Sequence, residues 1–347
     1  MLEIKHTLCP SCSVGCGINV VLKEGEVVGS FPYKRHPINE GKNCANGRDS
    51  IENYKNKIKT ATISNSETDI DKAIGEVLKE LSSADASTVT VICSGNNTVE
   101  ETEAIKNFAE SKNYNIGFFA DNLCNIEDVA SYDDIENAKT ILVIGDVLYD
   151  NPLIGRRIVH AKQNGAKICA NGLEKSVTEN ISDEYSTDSV QEFLDAAKSN
   201  LYESDLIIFN KVDSPDDFDR IISIVEDSKC KVLPVYSKSN TKGTLNFMES
   251  KSEEDMIELL DNTKVLLVFN DDIADEIDFD FSRISKIISF AYCENNTTKI
   301  SDIVIPIKAW LEKDGSFINA MGETQSFKAV AESDTLSEIE VIEKLNG

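Results

Sequence analysis

The sequence is short of several features that would settle its class at once. Its 347 residues hold one Trp, three His and seven Pro. No run of about 20 apolar residues exists, so no transmembrane helix is expected. The first residues, MLEIKHTLCPSC, lack the apolar stretch of a signal peptide and carry no twin-Arg signal. The expected location is therefore cytoplasmic. Positive charge is also scarce: 35 Lys and Arg face 61 Asp and Glu, a net charge of -26. That excludes a nucleic-acid partner, because phosphate contacts need a basic face. The deficit is uneven. Residues 1–59 have nine basic and six acidic side chains, a net of +3, which leaves -29 on residues 60–347. A mildly basic cap thus precedes a very acidic body. Most of the acid serves as a solvated surface, and the cap suits docking of an acidic electron carrier.

What is present in excess is cysteine. There are nine, an odd number, which argues against a disulfide framework in a cytosolic chain. Cys93 and Cys169 lie in apolar runs and read as small core residues. Four others are spaced C-x2-C-x3-C-x27-C: Cys9, Cys12, Cys16 and Cys44. Thiolates gathered by a tight loop can hold zinc or an iron–sulfur cluster. Gly15 and Gly17 flank Cys16 and let the backbone bend around a bulky group. Structural zinc more often pairs two C-x2-C units or adds His, whereas the distant ligand here is single, so the spacing favours a [4Fe–4S] cluster.

Residues 1–59 show short strand-like pieces, Ile18–Leu22 and Glu26–Ser30, joined by a hairpin turn through Glu24-Gly25. A segment this small holds a poor core, so a metal site is expected to help fold it. From about residue 60 the texture changes. Residues 69–81 place Ile70, Ile74, Val77, Leu78 and Leu81 on one helical face. Continuous apolar runs then recur at 89–93, 140–145, 166–170, 205–210, 231–236, 264–269, 286–291 and 302–306. Unbroken apolar runs are the pattern of parallel strands covered on both faces. Helical patterns lie between them, as at Thr98–Glu110 and Ile154–Gln163. The expected class is α/β: a small N-terminal cluster domain (1–59), then Rossmann-like parallel-sheet lobes at 60–190 and 191–347.

The residues around the cysteines resemble a known family. The run CPSCSVGCGINVVLKEGEVVGSFPYKRHPINEGKNCANG is similar to the N-terminal cluster domain of the molybdopterin oxidoreductase superfamily, especially the formate dehydrogenase alpha subunit of the F420-linked methanogen type. The similarity continues at residues 140–168, which include Arg156 and Arg157, and at 301–327, with Trp310, Glu312, Asp314, Gly315 and Asn319. Residues 232–247 also resemble the large iron–sulfur subunit of complex I, a relative without molybdenum. The resemblance implies cluster ligation by Cys9, Cys12, Cys16 and Cys44, and redox partners that handle iron–sulfur, flavin or F420 groups.

The sequence also departs from that family. It ends soon after the Trp310–Asn319 segment, so the C-terminal barrel that covers the pterin is expected to be absent. The family's Lys after the fourth cysteine is replaced in Cys44-Ala45-Asn46-Gly47. Cys124, the one weak candidate for a catalytic metal ligand, is followed by Asn125-Ile126-Glu127 rather than His. The strand before Ala170-Asn171 ends without the carboxylate that holds a guanine base. Together these argue against molybdopterin guanine dinucleotide. The expected function is an electron-transfer subunit without its own molybdenum or tungsten centre. The alternative is a catalytic pterin subunit acting on formate or a formyl group, and the enzymatic status stays open between them. Gly145-Asp146 and Gly95-Asn96-Asn97 read as strand–helix turns rather than nucleotide fingerprints. His36 sits in a loop near the cluster motif.

Overall fold

The computed structural model describes every residue except Asp121, Leu123, Cys124 and Asp213. The chain opens with a three-stranded antiparallel sheet, β1 (Leu2–Leu8), β2 (Gly17–Lys23) and β3 (Glu26–Pro32), in the order β1-β2-β3. Glu24 and Gly25 both have positive φ, as a two-residue hairpin turn requires. The helix Ala45–Lys55 follows.

Two parallel sheets form the body. Its strands are β4 (Ala61–Ile63), β5 (Ser66–Thr68), β6 (Val89–Cys93), β7 (Asn115–Phe118), β8 (Thr140–Ile144), β9 (Lys167–Asn171), β10 (Glu184–Ser186), β11 (Leu206–Phe209), β12 (Lys231–Pro234), β13 (Val265–Phe269), β14 (Lys286–Ala291) and β15 (Ile303–Pro306). The seven-stranded sheet runs β5-β4-β15-β14-β13-β6-β7 and the five-stranded sheet β10-β9-β8-β11-β12. All pairs are parallel except those made by β4. Each of the eight apolar runs read from the sequence is a strand, and β6, β11 and β13 are buried along their whole length. A last hairpin, β16 (Gly315–Ile318) with β17 (Thr324–Phe327), packs against the cysteine loop. Among the described residues no closed barrel is formed, and no helix is long and apolar enough to cross a membrane.

The expected division at residue 190 does not separate the sheets. The seven-stranded sheet takes strands from residues 61–118 and again from 265–306, while the five-stranded sheet, 140–234, lies between them in sequence. The reason is the pairing of β6 with β13 across more than 170 residues, which no local pattern reveals. Nor do residues 1–59 stand alone. Ile18, Val20 and Leu22, the inner face of β2, share one apolar core with Ile141 and Ile154 of the five-stranded lobe and with Trp310 and Phe317.

The order of the seven-stranded sheet reverses between β6 and β13. In open parallel sheets that reversal leaves a crevice at the carboxyl ends of the strands. Here the loops after β6 and β13 bring Asn96 and Asn270 to a cleft whose other wall is the cysteine domain.

Candidate cluster site and adjoining cleft

The cysteine loop is the connection between two paired strands. Leu8 ends β1 opposite Gly17 of β2, and the Cys9 amide donates to the Cys16 carbonyl at 2.8 Å, which closes the loop on itself. Cys44 arrives from elsewhere, as the residue that begins the helix Ala45–Lys55. That position brings its side chain to the N-terminal end of the helix, against the cysteine loop. The four side chains line one cavity with Val14, Ile18, Gly47 and Leu153. All four are free thiols, and Cys9, Cys12 and Cys16 are buried. A Cβ at Gly47 would sit 3.1 Å from the Cys9 sulfur and 4.0 Å from that of Cys44, so a side chain there would crowd the Cys9 thiol. Gly15, with φ of +77°, supplies a backbone turn that other residues resist.

Burial pushes the thiols up: Cys12 to about 12, Cys9 and Cys16 in the same direction, with the neighbouring cysteines adding repulsion. A set of thiols that resists ionisation together is stabilised as thiolates only by compensating positive metal. Among the described residues no three His, Cys, Asp or Glu side chains are arranged to hold a single metal ion. Four cysteine side chains lining one cavity are the donor set that a [4Fe–4S] cluster takes.

The loop is fastened from four distant parts of the chain. The Ser13 carbonyl accepts from Ala320 N, the Val14 carbonyl from the Tyr132 hydroxyl at 2.9 Å, and the Gly15 carbonyl from Gln325 at 3.1 Å. Tyr236 N donates to the Ser13 hydroxyl, and its carbonyl accepts from Ser13 N. The Trp310 indole donates to the Leu8 carbonyl at 3.2 Å, next to Cys9, and its ring lies edge-on to Tyr54 and Tyr292. Sequence reasoning noticed Trp310 through resemblance but did not single out Tyr236 and Gln325 within the similar runs 232–247 and 301–327, or Tyr132, which lies outside them. The two arginines separate. Arg156 is at the surface, paired with Glu40. Arg157 is buried: it bonds Glu136 and the Ile38 carbonyl, covers the Tyr132 ring, and its charge acts on Cys16. His36 lays its ring against the backbone of Gly17.

The cleft beside this loop has a volume of about 400 Å³. Its two lysines are not free cations. Lys238 pairs with Asp271 at 2.5 Å and Glu276 at 2.6 Å, and Lys313 pairs with Glu101 at 2.6 Å and Glu338 at 2.8 Å. Each lysine therefore faces two carboxyl groups. Burial alone would lower both lysines, but the paired carboxylates raise them. In the second group burial, then repulsion from Glu101, lifts Glu338 to about 8. Glu338 thus keeps its proton and shares it with Glu101, which stays ionised beside Lys313.

The remaining sequence candidates are placed as follows. Cys124 lies outside the described residues; next to it, Asn125 accepts from Lys242 at 2.9 Å. Asn171 ends β9 and donates to the carbonyls of Ser186 and Asp188, so it anchors β10 rather than facing an open crevice. Asp146 accepts from Val177 N, Thr178 N and the Thr178 hydroxyl, and a Cβ at Gly145 would strike Asn210, so that turn is filled. Glu312 is fully buried and accepts from the Tyr54 hydroxyl and from Lys57. Asn319 is buried and caps the β16–β17 turn, while Asp314 is exposed and pairs with Lys328.

Two family models match parts of the chain. Residues 2–56 match the molybdopterin oxidoreductase Fe4S4 domain, and residues 196–337 match the molybdopterin oxidoreductase domain. The chain is 35% identical over 205 residues to an F420-dependent formate dehydrogenase subunit alpha of Methanocaldococcus jannaschii, covering 53% of this chain and 30% of that one. It is 33% identical over 189 residues to F420-dependent formate dehydrogenase 1 subunit alpha of Methanococcus maripaludis, covering 48% of this chain and 28% of the other. The match thus spans under a third of the length of these relatives. In fold it is similar to acetylene hydratase from Pelobacter acetylenicus, with a TM-score of 0.67 and 11% identity over 98% of this chain and 68% of that one. It is also similar to a chain of the formyltransferase/hydrolase complex from Methylorubrum extorquens, with a TM-score of 0.57 and 12% identity over 82% of this chain and 97% of the other.

Proposed function

Because the chain belongs to the molybdopterin oxidoreductase family, related to formate dehydrogenase alpha subunits, we propose that it is an electron-transfer subunit holding one [4Fe–4S] cluster on Cys9, Cys12, Cys16 and Cys44. The carrying observation is that four free thiols from two separate elements line one cavity in a loop fastened from all sides. The bound cluster supplies one-electron chemistry. The protein's own residues hold the thiolates apart, exclude water from three of them and set the local charge. The proposed setting is a larger cytoplasmic redox complex with iron–sulfur, flavin or F420-handling subunits.

The cleft fits a molybdopterin guanine dinucleotide poorly. Such a cofactor carries a pyrophosphate and needs uncompensated donors. Here Lys238 is outnumbered by Asp271 and Glu276, Lys313 is neutralised by the ionised Glu101 and also bonded to Glu338, and Asp49 lines the cleft as well. No step is assigned to a pterin in this chain. Anaerobic reduction with dithionite, followed by EPR, tests the electron-transfer reading. A single cubane signal that re-oxidises with a low-potential carrier is expected; a cluster that accepts no electron contradicts it.

The match of residues 196–337 to the molybdopterin oxidoreductase domain favours a second reading, a catalytic subunit for formate or a formyl group completed by another chain. It requires formate-dependent dye reduction that is lost in Cys124→Ala. Activity retained in that variant removes Cys124 from the reading.

Arg157 gives a sharper electrostatic test. A buried positive charge beside Cys16 stabilises the reduced, more negative cluster. Arg157→Met therefore lowers the midpoint potential by on the order of 50–100 mV, whereas Arg157→Lys keeps most of the charge and most of the potential. Equal potentials in all three proteins contradict the placement of that charge.

A further inference from the structure

The outer face of the N-terminal sheet carries an unpartnered groove. Antiparallel register puts Leu2, Ile4 and His6 of β1 on the same face as Asn19 and Val21 of β2 and Phe31 of β3. Leu2 is 69% exposed, Ile4 58% and Phe31 41%, an unusual concentration of apolar surface in so acidic a protein. The His6 and Tyr33 rings stack at 4.1 Å beside it and give the groove a rigid wall. Lys34, Arg35 and Lys42 line the same groove, and among the described residues none of them is engaged in an ion pair. Its one lining carboxylate, Glu40, is paired with Arg156. The groove is thus apolar in its floor and cationic along its rim.

Its position is the second observation. Neighbouring residues of the same strand serve the groove and the cysteine cavity: Asn19 lines the one and Ile18 the other. Lys42 lines the groove two residues before Cys44, and His6 lines it three residues before Cys9. One strand therefore separates a docking surface from the four thiols.

We propose that this groove docks an acidic one-electron carrier protein, whose carboxylates meet Lys34, Arg35 and Lys42 and whose small apolar contact covers Ile4 and Phe31. The proposal rests on the electron-transfer reading above. In the step it serves, one electron passes between cluster and carrier, so that one is oxidised as the other is reduced; no bond forms and no proton moves. The charge pattern disfavours a second copy, since two copies meeting face to face would set this cationic rim against itself.

The test uses the cluster-loaded full chain under anaerobic conditions and a redox-inert probe, an acidic ferredoxin whose iron is replaced by gallium. Calorimetry is expected to show binding that weakens steeply with salt. The triple variant Lys34→Glu, Arg35→Glu, Lys42→Glu is expected to weaken it by at least roughly tenfold, with iron content and melting temperature unchanged. Phe31→Ala, which leaves the charges alone, is expected to weaken it severalfold without altering the salt dependence. Equal affinity of the triple variant overturns the proposal. So does loss of a self-associated form, seen by sedimentation, as the only effect of the charge reversal. Binding to phosphatidylserine vesicles but not to the probe overturns it as well. Groove-dependent binding of the native ferredoxin without electron exchange supports the docking surface and overturns the electron-transfer reading instead.

Discussion

Cys16→Ala is expected to empty the N-terminal domain of iron, from about four atoms per chain to less than one, and to make residues 1–59 sensitive to protease. Cys16 is buried, stands at the closing end of the loop, and has Ile18 two residues on in the wall of the same cavity. Three strands and one short helix offer little core of their own, so under the proposed ligation the cross-link between Cys44 and the loop is expected to carry much of the domain's order. The contacts from Tyr132, Trp310 and Gln325 then act on a loop without its centre. Cys93→Ala is the control. That thiol is fully buried in β6, bonds weakly to Asn97, and belongs to the core of the seven-stranded sheet. It is expected to cost some stability and no iron. Iron per chain and limited proteolysis read both variants; iron retained in Cys16→Ala contradicts the ligand assignment.

The second large effect is expected at Lys313. Its ammonium joins Glu101 in the first turn of the helix Val99–Lys112 to Glu338 at the start of the helix Glu338–Asn346, and all three side chains are buried. Lys313→Met leaves the ionised Glu101 and its proton-bearing neighbour Glu338 without their cation and is expected to cost about 3–5 kcal/mol in denaturant unfolding. Glu338→Gln acts in the opposite sense. Burial first, and Glu101 second, raise Glu338 to about 8 from an ordinary 4.5. Between those values the folded chain keeps a proton that the unfolded chain releases, so this group's contribution is complete below about 4.5 and is lost as pH rises to about 8. The glutamine keeps a donor there without the titration. Its stability profile is expected to be flatter over that range and higher above pH 8. A profile parallel to that of the unmodified protein contradicts the assignment of the proton to Glu338.

Much of this architecture was legible because it is local. Parallel strands buried on both faces are unbroken apolar runs, and β8, β11 and β13 read as such from residues 140–145, 205–210 and 264–269. The four cysteines were legible for the same reason: three fall within eight residues and the fourth begins a helix. What could not be read depends on distant pairings. The interposition of the five-stranded lobe follows from β6 meeting β13, and nothing near residue 190 signals it. The charge of the cleft was equally hidden, since Lys313 finds Glu101 from across two hundred residues, and a lysine in isolation reads as a cation available to a phosphate. The groove on the outer sheet lay between these cases. Its net charge was visible, but the register that gathers Ile4 and Phe31 on one face was not.

Quantifying iron, molybdenum, tungsten and extractable pterin in one anaerobic sample of the native protein decides the account. Roughly four irons per chain, with both heavy metals and the pterin far below stoichiometry, is the predicted outcome. A full equivalent of pterin with molybdenum or tungsten, or a protein that carries zinc in place of iron, would contradict it.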